Sequence, residues 1–168
     1  MKAIETGTYN VILRTISEEI KPQEMKHYVK LGKEMIKYIK EPKNKGVGLA
    51  APQVGENKRL IVVSLLRDRD DENYSTVMML NPEILDFSKD TETDTEGCLS
   101  VPGGKAEVCR PKSIRLKYID EKGKERILML DGLSARIVQH EVDHLNGVLF
   151  VDRVNETILK QRKKEAVL

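Results

Sequence analysis

The sequence predicts an α+β fold in which short, mostly antiparallel strands pack around a central HExxH-bearing helix, with an amphipathic helix closer to the N-terminus. Two segments have helical periodicity, at 23–40 and at about 131–146. The segments with strand patterns cluster between these helices and do not alternate with further helices, which favours α+β over a doubly wound parallel sheet. One pair of strand patterns, at 113–119 and 125–130, is separated only by a turn and predicts antiparallel pairing.

Residues 23–40 predict the first helix because apolar side chains recur there every three or four positions. Pro22 lies where the first turn of a helix tolerates proline, and Glu41-Pro42 ends the pattern. The lysines fall largely on the opposite face, which makes the helix amphipathic. Its apolar positions are Met25, Tyr28, Val29, Leu31, Met35, Ile36 and Ile39.

Short apolar runs predict strands at 60–63, at 77–80 and at 84–87, the last two on either side of Asn81-Pro82. Residues 113–119 alternate polar and apolar side chains, and after a turn at 121–124 the chain returns through 125–130. This order predicts a β-hairpin. The second helix then begins at Asp131 or Gly132 and runs to about Asn146, with Gly147 placed to end it. A short helix is also predicted for 154–165.

The composition of the 168 residues excludes several classes of protein. No repeat, low-complexity tract or flexible linker divides the chain, so we expect a single domain over 1–168. The net charge of +2 gives no reason to expect nucleic-acid binding. The longest apolar run, at 60–66, is far shorter than the ~20 residues of a membrane-spanning helix, and we see no export signal. We therefore predict no membrane partner and a cytoplasmic location. Two cysteines, Cys98 and Cys109, are too few for a disulfide framework.

The strongest chemical signal is His140-Glu141-Val142-Asp143-His144 on the second helix. Residues four apart lie on one face of a helix, so His140 and His144 can bind one metal ion. Glu141 lies beside them without being a ligand, in the position of a general base that acts on water at the metal. The alternative is a pair of hydrogen-bonded core histidines with flanking surface acids.

This motif leaves the third metal ligand open. In thermolysin-like peptidases the third ligand is a carboxylate further along the chain, and Asp152 and Glu156 are the candidates for that role. The other candidate is Cys98, because the preceding Gly97 permits a tight turn that would bring a thiolate to the metal. We favour Cys98, since one cysteine and two histidines leave the fourth tetrahedral position to water, as in catalytic sites.

Three segments resemble the motifs of the peptide deformylase family, in the order in which the family has them. They are GVGLAAPQ at 46–53, EGCLS at 96–100 and QHEVDH at 139–144. The likeness covers nearly the whole chain, since 10–14 and 131–135 also resemble segments of that family. Each motif is moderately specific by itself, and three motifs in the same order are strongly specific.

The resemblance implies a metal-dependent hydrolase that removes the N-formyl group from the initiator methionine of nascent polypeptides and releases formate. Its partners would be N-formylmethionyl peptides and, through that substrate, the ribosome. The ligands implied for one divalent metal ion are Cys98, His140 and His144. The ion is Fe²⁺ physiologically in many members, and Zn²⁺, Ni²⁺ or Co²⁺ can replace it. Glu141 would carry the proton from water to the departing amine, while the Gln53 amide and the Leu99 backbone N–H would stabilise the oxyanion.

The same resemblance implies how the substrate binds. Gly48 would let the substrate backbone approach the main chain of the protein. Positions that line the methionine pocket in the family are occupied here by Val47, Leu133 and Ile137, which would fit a hydrophobic core equally well. The stem of Arg136 is expected to flank the rim of this pocket.

Around these motifs, we expect Glu96 to pair with Arg110 and fix the cysteine-bearing strand, with an unpaired surface Glu and Arg as the alternative. Cys109 and His27 are interpreted as structural. The chain departs from the family at Gly103-Gly104-Lys105, where many bacterial members carry Glu-Gln-Arg, and this difference concerns contacts to substrate residues beyond the methionine.

Two rival functions remain. One is a metal-binding or peptide-binding relative without turnover, and the other is an HExxH endopeptidase.

Overall fold

The computed structural model describes residues 3–44 and 46–154, so the helix predicted for 154–165 lies outside the described residues except for its first position. The strands are β1 Gly48–Ala50, β2 Leu60–Leu65, β3 Ser75–Phe87, β4 Thr91–Cys98, β5 Val101–Pro111, β6 Ser113–Ile119 and β7 Glu125–Asp131. The helices are α1 Val11–Arg14, α2 Met25–Lys40 and α3 Gly132–Leu145. Short 3-10 turns occupy Pro22–Glu24 and Ala51–Val54.

Two antiparallel sheets make up the β structure. Five strands form one sheet in the order β1-β2-β3-β6-β7, and β4 pairs with β5 in a separate two-stranded sheet. The hairpin predicted from 113–119 and 125–130 is β6–β7, and its register joins Ser113 to Asp131 and Ile119 to Glu125. The predicted α+β class is therefore confirmed.

The five-stranded sheet lies between the two long helices. Successive side chains of a strand point to opposite faces, so β2 serves both sides of the sheet. Ile61 and Val63 belong to the apolar cluster that contains the buried residues of α3, such as Val138. Leu60 and Val62 belong to the second cluster, which contains the apolar face of α2. No helix within the described ranges is long and apolar enough to cross a membrane.

One detail of the strand prediction is wrong. The runs at 77–80 and 84–87 are parts of the single strand β3, whose register with β6 shifts between Leu80 and Glu83. Pro82 has no N–H to donate to the ladder, and Asn81 adopts a φ of 48°. The Asn81 side chain accepts a hydrogen bond from the Ile20 N–H (2.8 Å) and donates one to the Ile20 carbonyl (2.9 Å), which holds the irregular residue within a continuing strand.

The sequence patterns did not predict α1, the short strand β1 or the β4–β5 hairpin. The β4 sequence TETDTEGC is almost entirely polar, so it lacks the apolar alternation of a half-buried strand. Its ladder with β5 nevertheless runs from Thr91–Pro111 to Cys98–Val101. This hairpin carries Cys98 and lies against α3 through the side chains described below.

Candidate metal centre

Helix α3 fixes the two histidines of the motif in a rigid, buried frame. It follows β7 directly and ends in a Schellman motif, in which the Val148 N–H donates to the Asp143 carbonyl (2.9 Å) and the Gly147 N–H to the His144 carbonyl (3.2 Å). Gly147 adopts a φ of 72°, and a Cβ there would lie 2.6 Å from the Arg14 carbonyl oxygen. Both facts require glycine, which confirms the predicted helix end.

The structure brings Cys98 to the two histidines. Cys98 Sγ lies 3.2 Å from His144 Nε2, and donor atoms of Cys98, His140 and His144 all lie within 4.8 Å of one another. The sulfur reaches this position because the β4–β5 register shifts between Gly97 and Cys98, at the end of the ladder. One sulfur and two imidazole nitrogens at such separations fit the coordination sphere of a divalent transition metal.

The alternative ligands do not join this cluster in the described part of the chain. The Asp152 carboxylate pairs with the Arg14 guanidinium and accepts the Leu149 N–H at 2.8 Å. Glu156 lies outside the described residues. Of the carboxylate and thiol candidates that the structure describes, Cys98 is thus the one that lies beside both histidines.

Glu96 orients His140. His140 Nδ1 lies 2.9 Å from Glu96 Oε2, so the other ring nitrogen remains available to a metal. The predicted pair with Arg110 is present, with Arg110 Nη2 donating to Glu96 Oε2 at 2.9 Å. Arg136 Nη1 donates to Glu96 Oε1 at 2.8 Å. Arg136 lines the cavity, as expected. Its guanidinium, however, is directed into this buried network, and the residue as a whole is 6% exposed.

Two effects compete in setting the charge of Glu96. Burial alone would raise the pKa of its carboxyl, but hydrogen bonds from His140 and Arg110 outweigh burial and hold the pKa well below its usual range. For His140 the two effects have the opposite signs. Burial alone would lower the pKa of the imidazole, but the hydrogen bonds that His140 makes to Cys98 and Glu96 outweigh burial and raise that pKa to about 10. Burial drives the pKa of His144 well below its ordinary value.

Glu141 lies beside the cluster on the cavity side. The residue is 4% exposed, and its Oε2 atom has no hydrogen-bond partner among the described residues. Burial is the main cause that raises the pKa of its carboxyl to about 7. Gly48 packs directly on it, since a Cβ added at Gly48 would lie 2.9 Å from Glu141 Cδ. The glycine of the first motif thus makes room for the acid of the third.

Gln53 lies beside the Cys98 thiol. Its Oε1 atom accepts the Ala50 N–H at 2.8 Å, which fixes the amide. Its Nε2 atom donates to Ser100 Oγ at 3.1 Å and lies 3.5 Å from Cys98 Sγ. The Ser100 N–H also points to Cys98 Sγ, at 3.4 Å. The amide group of Gln53 thus donates to Ser100 and also lies beside the thiol of the metal cluster.

A cavity of about 640 Å³ opens in front of these groups. Gln53, Leu99 and Glu141 line this cavity. All four predicted substrate-binding positions line it as well, and these are Val47, Gly48, Leu133 and Ile137. Val47 is 45% exposed, whereas Ile137 is 5% exposed and also belongs to the α3 core cluster. Ile137 therefore serves both the cavity wall and the core.

Sequence reasoning missed two residues of the site. Ser100 is fully buried and accepts the Gln53 amide. Asp143 is paired with Arg110 (2.8 Å) and Arg153 (2.7 Å). A signal for Asp143 existed, because it follows His140 by three positions and so lies on the same face of a buried helix.

The sequence and structure match known proteins along nearly the whole chain. A family model described as polypeptide deformylase matches residues 1–160. The chain belongs to the peptide deformylase family. A peptide deformylase of Prochlorococcus marinus (strain NATL1A) is 49% identical over 137 residues, which are 81% of this chain and 66% of the relative. One of Thermosynechococcus vestitus is 49% identical over 121 residues, which are 71% of this chain and 63% of the relative. The match thus spans slightly less than two thirds of these relatives.

Solved structures of deformylases have the same fold. A probable peptide deformylase from synechococcus phage S-SSM7 superposes with a TM-score of 0.80 at 42% identity and covers 91% of this chain and 99% of its own. A class I type b peptide deformylase from Acinetobacter baumannii, in complex with Met-Ala-Ser, superposes with a TM-score of 0.83 at 36% identity, with coverages of 92% and 98%. Peptide deformylases are metal-dependent, and the thiol–imidazole cluster is compatible with that requirement.

Proposed function

We propose that this chain is a metal-dependent hydrolase that removes the N-formyl group from the initiator methionine of nascent polypeptides and releases formate. The observation that carries the proposal is the cluster of one thiol and two imidazoles beside a buried carboxyl group, with Cys98, His140 and Glu141 lining a cavity. Membership of the deformylase family supports the same reaction.

Cys98, His140 and His144 would hold the metal ion. Three protein ligands leave further coordination positions for water and substrate, unlike a closed structural site with four. A divalent ion at this place supplies Lewis-acid chemistry, which activates water and polarises a carbonyl group. We propose Fe²⁺ as the physiological ion, with Zn²⁺, Ni²⁺ or Co²⁺ able to occupy the same ligands, because a thiolate and two imidazoles suit all of these ions.

Glu141 would move the proton. Its carboxylate accepts a proton from water as the water oxygen attacks the formyl carbon, and it then donates that proton to the nitrogen as the C–N bond breaks. A pKa raised to about 7 by burial suits a group that must both accept and release a proton near neutral pH. The products are formate and the free amine of methionine.

Gln53 and Leu99 would stabilise the charge that develops on the formyl oxygen. The Gln53 amide oxygen is held by the Ala50 N–H, and its Nε2 atom is held beside Cys98 Sγ, so the side chain is already fixed next to the cluster. Leu99 follows Cys98 directly and lines the same cavity, which supports the role of its backbone N–H. One such positioned donor is worth about 3–4 kcal/mol in the transition state.

The cavity would bind the formylated methionine. Val47, Leu133 and Ile137 give it an apolar wall that suits a thioether side chain, and Gly48 leaves the adjacent main chain accessible. The complex of the Acinetobacter baumannii relative with Met-Ala-Ser supports a substrate peptide that begins with methionine.

We further propose that the ribosome is a partner of this protein, because the substrate is a nascent polypeptide, and that the protein acts in the cytoplasm. A single domain over 1–168 would carry the activity.

The proposal can be tested with protein that is purified anaerobically and loaded with Fe²⁺. Formyl-Met-Ala-Ser should yield equal amounts of formate and free amine, whereas acetyl-Met-Ala-Ser should react far more slowly. Cys98→Ala should lose both metal and activity, and Cys109→Ala, which changes the other thiol of the same hairpin, should keep both. Loss of activity on exposure to air would support Fe²⁺. Absence of formate release by the metal-loaded protein, cleavage of internal peptide bonds, or full activity of Cys98→Ala would contradict the proposal.

A further inference from the structure

The hairpin that carries Cys98 is joined to α3 through polar contacts, while Leu99 in its turn packs against the apolar cluster of α2. β4 and β5 pair only with each other and share no ladder with the five-stranded sheet. Neither of the two apolar clusters contains a residue of these strands. The distance from Cys98 to the two histidines therefore depends on how the hairpin is attached to α3.

That attachment is a polar seam on one face of α3. We define the seam as the residues at positions i, i+3, i+4 and i+7 of the helix, which are Arg136, Gln139, His140 and Asp143. Three of them make side-chain contacts with the hairpin. Gln139 donates to the Pro111 carbonyl (2.9 Å), His140 binds Glu96 (2.9 Å), and Asp143 accepts from Arg110 (2.8 Å).

Arg136 differs from the other three because it binds the main chain of both strands. Its Nη2 atom donates to the Glu92 carbonyl of β4 at 2.7 Å, and its Nη1 atom donates to the Val108 carbonyl of β5 at 2.8 Å. Nη1 also donates to Glu96 Oε1 at 2.8 Å, and the residue as a whole is buried. One planar guanidinium thus links the helix, two strands and the carboxylate that orients His140.

We propose that Arg136 is a positioning residue for the Cys98 thiol, which it holds at ligating distance from His140 and His144 by fixing both strands of the hairpin to α3. The inference rests on the proposed metal site. Without the guanidinium, two buried carbonyls and one oxygen of Glu96 lose a donor, and the hairpin must move or admit water to satisfy them. The thiol at the end of β4 would move with the hairpin.

The test uses the Co²⁺-loaded protein, because thiolate ligation to Co²⁺ produces a charge-transfer absorption that reports the Cys98–metal contact directly. Arg136→Met keeps an unbranched stem at the cavity wall and removes the guanidinium. We expect its affinity for Co²⁺, measured by competition with a chelator, to fall at least about tenfold and its thiolate absorption to weaken, as for other groups that orient metal ligands. Peptide hydrolysis need not be measured.

Arg59→Met is the matched control. Arg59 is also partly buried and donates to α3, but at the far end of the helix, to the Leu145 carbonyl (3.4 Å) and to Asn146 Oδ1 (3.0 Å). It should lose stability without loss of Co²⁺ affinity or of the thiolate absorption. Arg136→Lys should lie between wild type and Arg136→Met, because an ammonium group cannot span both strands as a planar fork does.

The outcomes separate the inference from the proposed function. Wild-type affinity and absorption in Arg136→Met would overturn the positioning role even if the variant is less stable. Should Arg136→Met fail to fold, wild-type behaviour of Arg136→Lys in both measurements would overturn it as well. If the wild-type protein itself binds Co²⁺ without thiolate absorption, the proposed ligand set is wrong and the inference fails with it.

Discussion

At the scale of single residues, the proposed mechanism depends on a buried carboxyl group, Glu141, that is not paired with any arginine that the structure describes. Glu141 faces the cavity from a helix, and burial raises its pKa to about 7. Glu96, which is equally buried, is paired with two arginines and has its pKa held well below the usual range. Under the proposed mechanism these two buried acids have opposite roles, since Glu141 would exchange a proton and Glu96 would keep its charge.

Glu141→Gln should therefore retain the metal and lose turnover. The amide has nearly the same shape but cannot accept a proton from water, and general acid–base catalysis contributes about 10²- to 10⁴-fold in rate. The rate of formate release and the metal content of the same sample provide the measurement. Glu121→Gln, in the exposed β6–β7 turn, is the control and should behave as wild type. Turnover within a few-fold of wild type in Glu141→Gln would show that the base lies elsewhere.

At the scale of elements, the centre is assembled from one helix and one hairpin that are far apart in sequence. α3 contributes both imidazoles, and the β4–β5 hairpin contributes the thiol and the Glu96 carboxylate. Charge pairs cross the interface between them, from Glu96 to Arg136 and from Arg110 to Asp143. Breaking a buried pair of this kind is costly because the partner remains buried and unpaired.

Glu96→Gln should accordingly destabilise the fold, and the loss should depend on pH. The carboxyl has a lower pKa in the folded protein than the value of about 4.3 expected for an unfolded chain. Its contribution is thus fully present above that unfolded value and is lost as the pH falls through the folded pKa. At pH 7 we expect a loss of about 3–5 kcal/mol in the free energy of unfolding, and a smaller difference between the two proteins below about pH 4.

Urea unfolding at several pH values, in the presence of a chelator so that metal loss does not contribute, measures this difference. The control is Glu83→Gln, whose carboxylate pairs with Lys117 (2.7 Å) at the surface of β3. An exposed pair is worth at most about 1 kcal/mol, so this variant should be nearly neutral. An equal effect of both substitutions at pH 7 would rule out a special role for the Glu96 pair.

At the scale of the whole molecule, the sheet divides the structure into two sides with different tasks. The α2 side is closed by the second apolar cluster, against which Leu99 of the hairpin turn also packs. On the other side, α3 packs on the sheet with one face and meets the hairpin with its polar seam. A metal ion held by Cys98 and the two histidines would cross-link these two elements, so ligand binding and stability are coupled.

Metal removal should therefore lower the thermal stability of the protein. At a free metal concentration of about 1,000 times Kd, binding adds about 4 kcal/mol, which corresponds to roughly 8–16 °C in Tm for a chain of this size. The measurement is Tm in excess metal against Tm in chelator. Cys109→Ala should show the full difference, while Cys98→Ala should show little of it. A Tm of the wild type that does not respond to chelator would contradict the coupling.

The sequence by itself determined the features that depend on residues close together along the chain. The spacing of His140 and His144 defines a shared helix face, the order of the three motifs indicates the family, and Gly147 ends α3 where a positive φ is needed. The same local rules predicted α2 and the β6–β7 hairpin, because helical periodicity and strand alternation are read within one segment.

Contacts between distant segments were decided by the tertiary structure alone. Only the folded hairpin distinguishes Cys98 from Asp152 as the neighbour of the histidines, and only it shows that Arg136 joins Glu96 in a buried network. β4 escaped prediction because its one buried side chain is Glu96, which meets polar partners on α3, so no apolar alternation marks the strand. The physical reason is that a buried charge is stable only beside a partner, and for Glu96 the chain topology supplies that partner, Arg136, from 40 residues away.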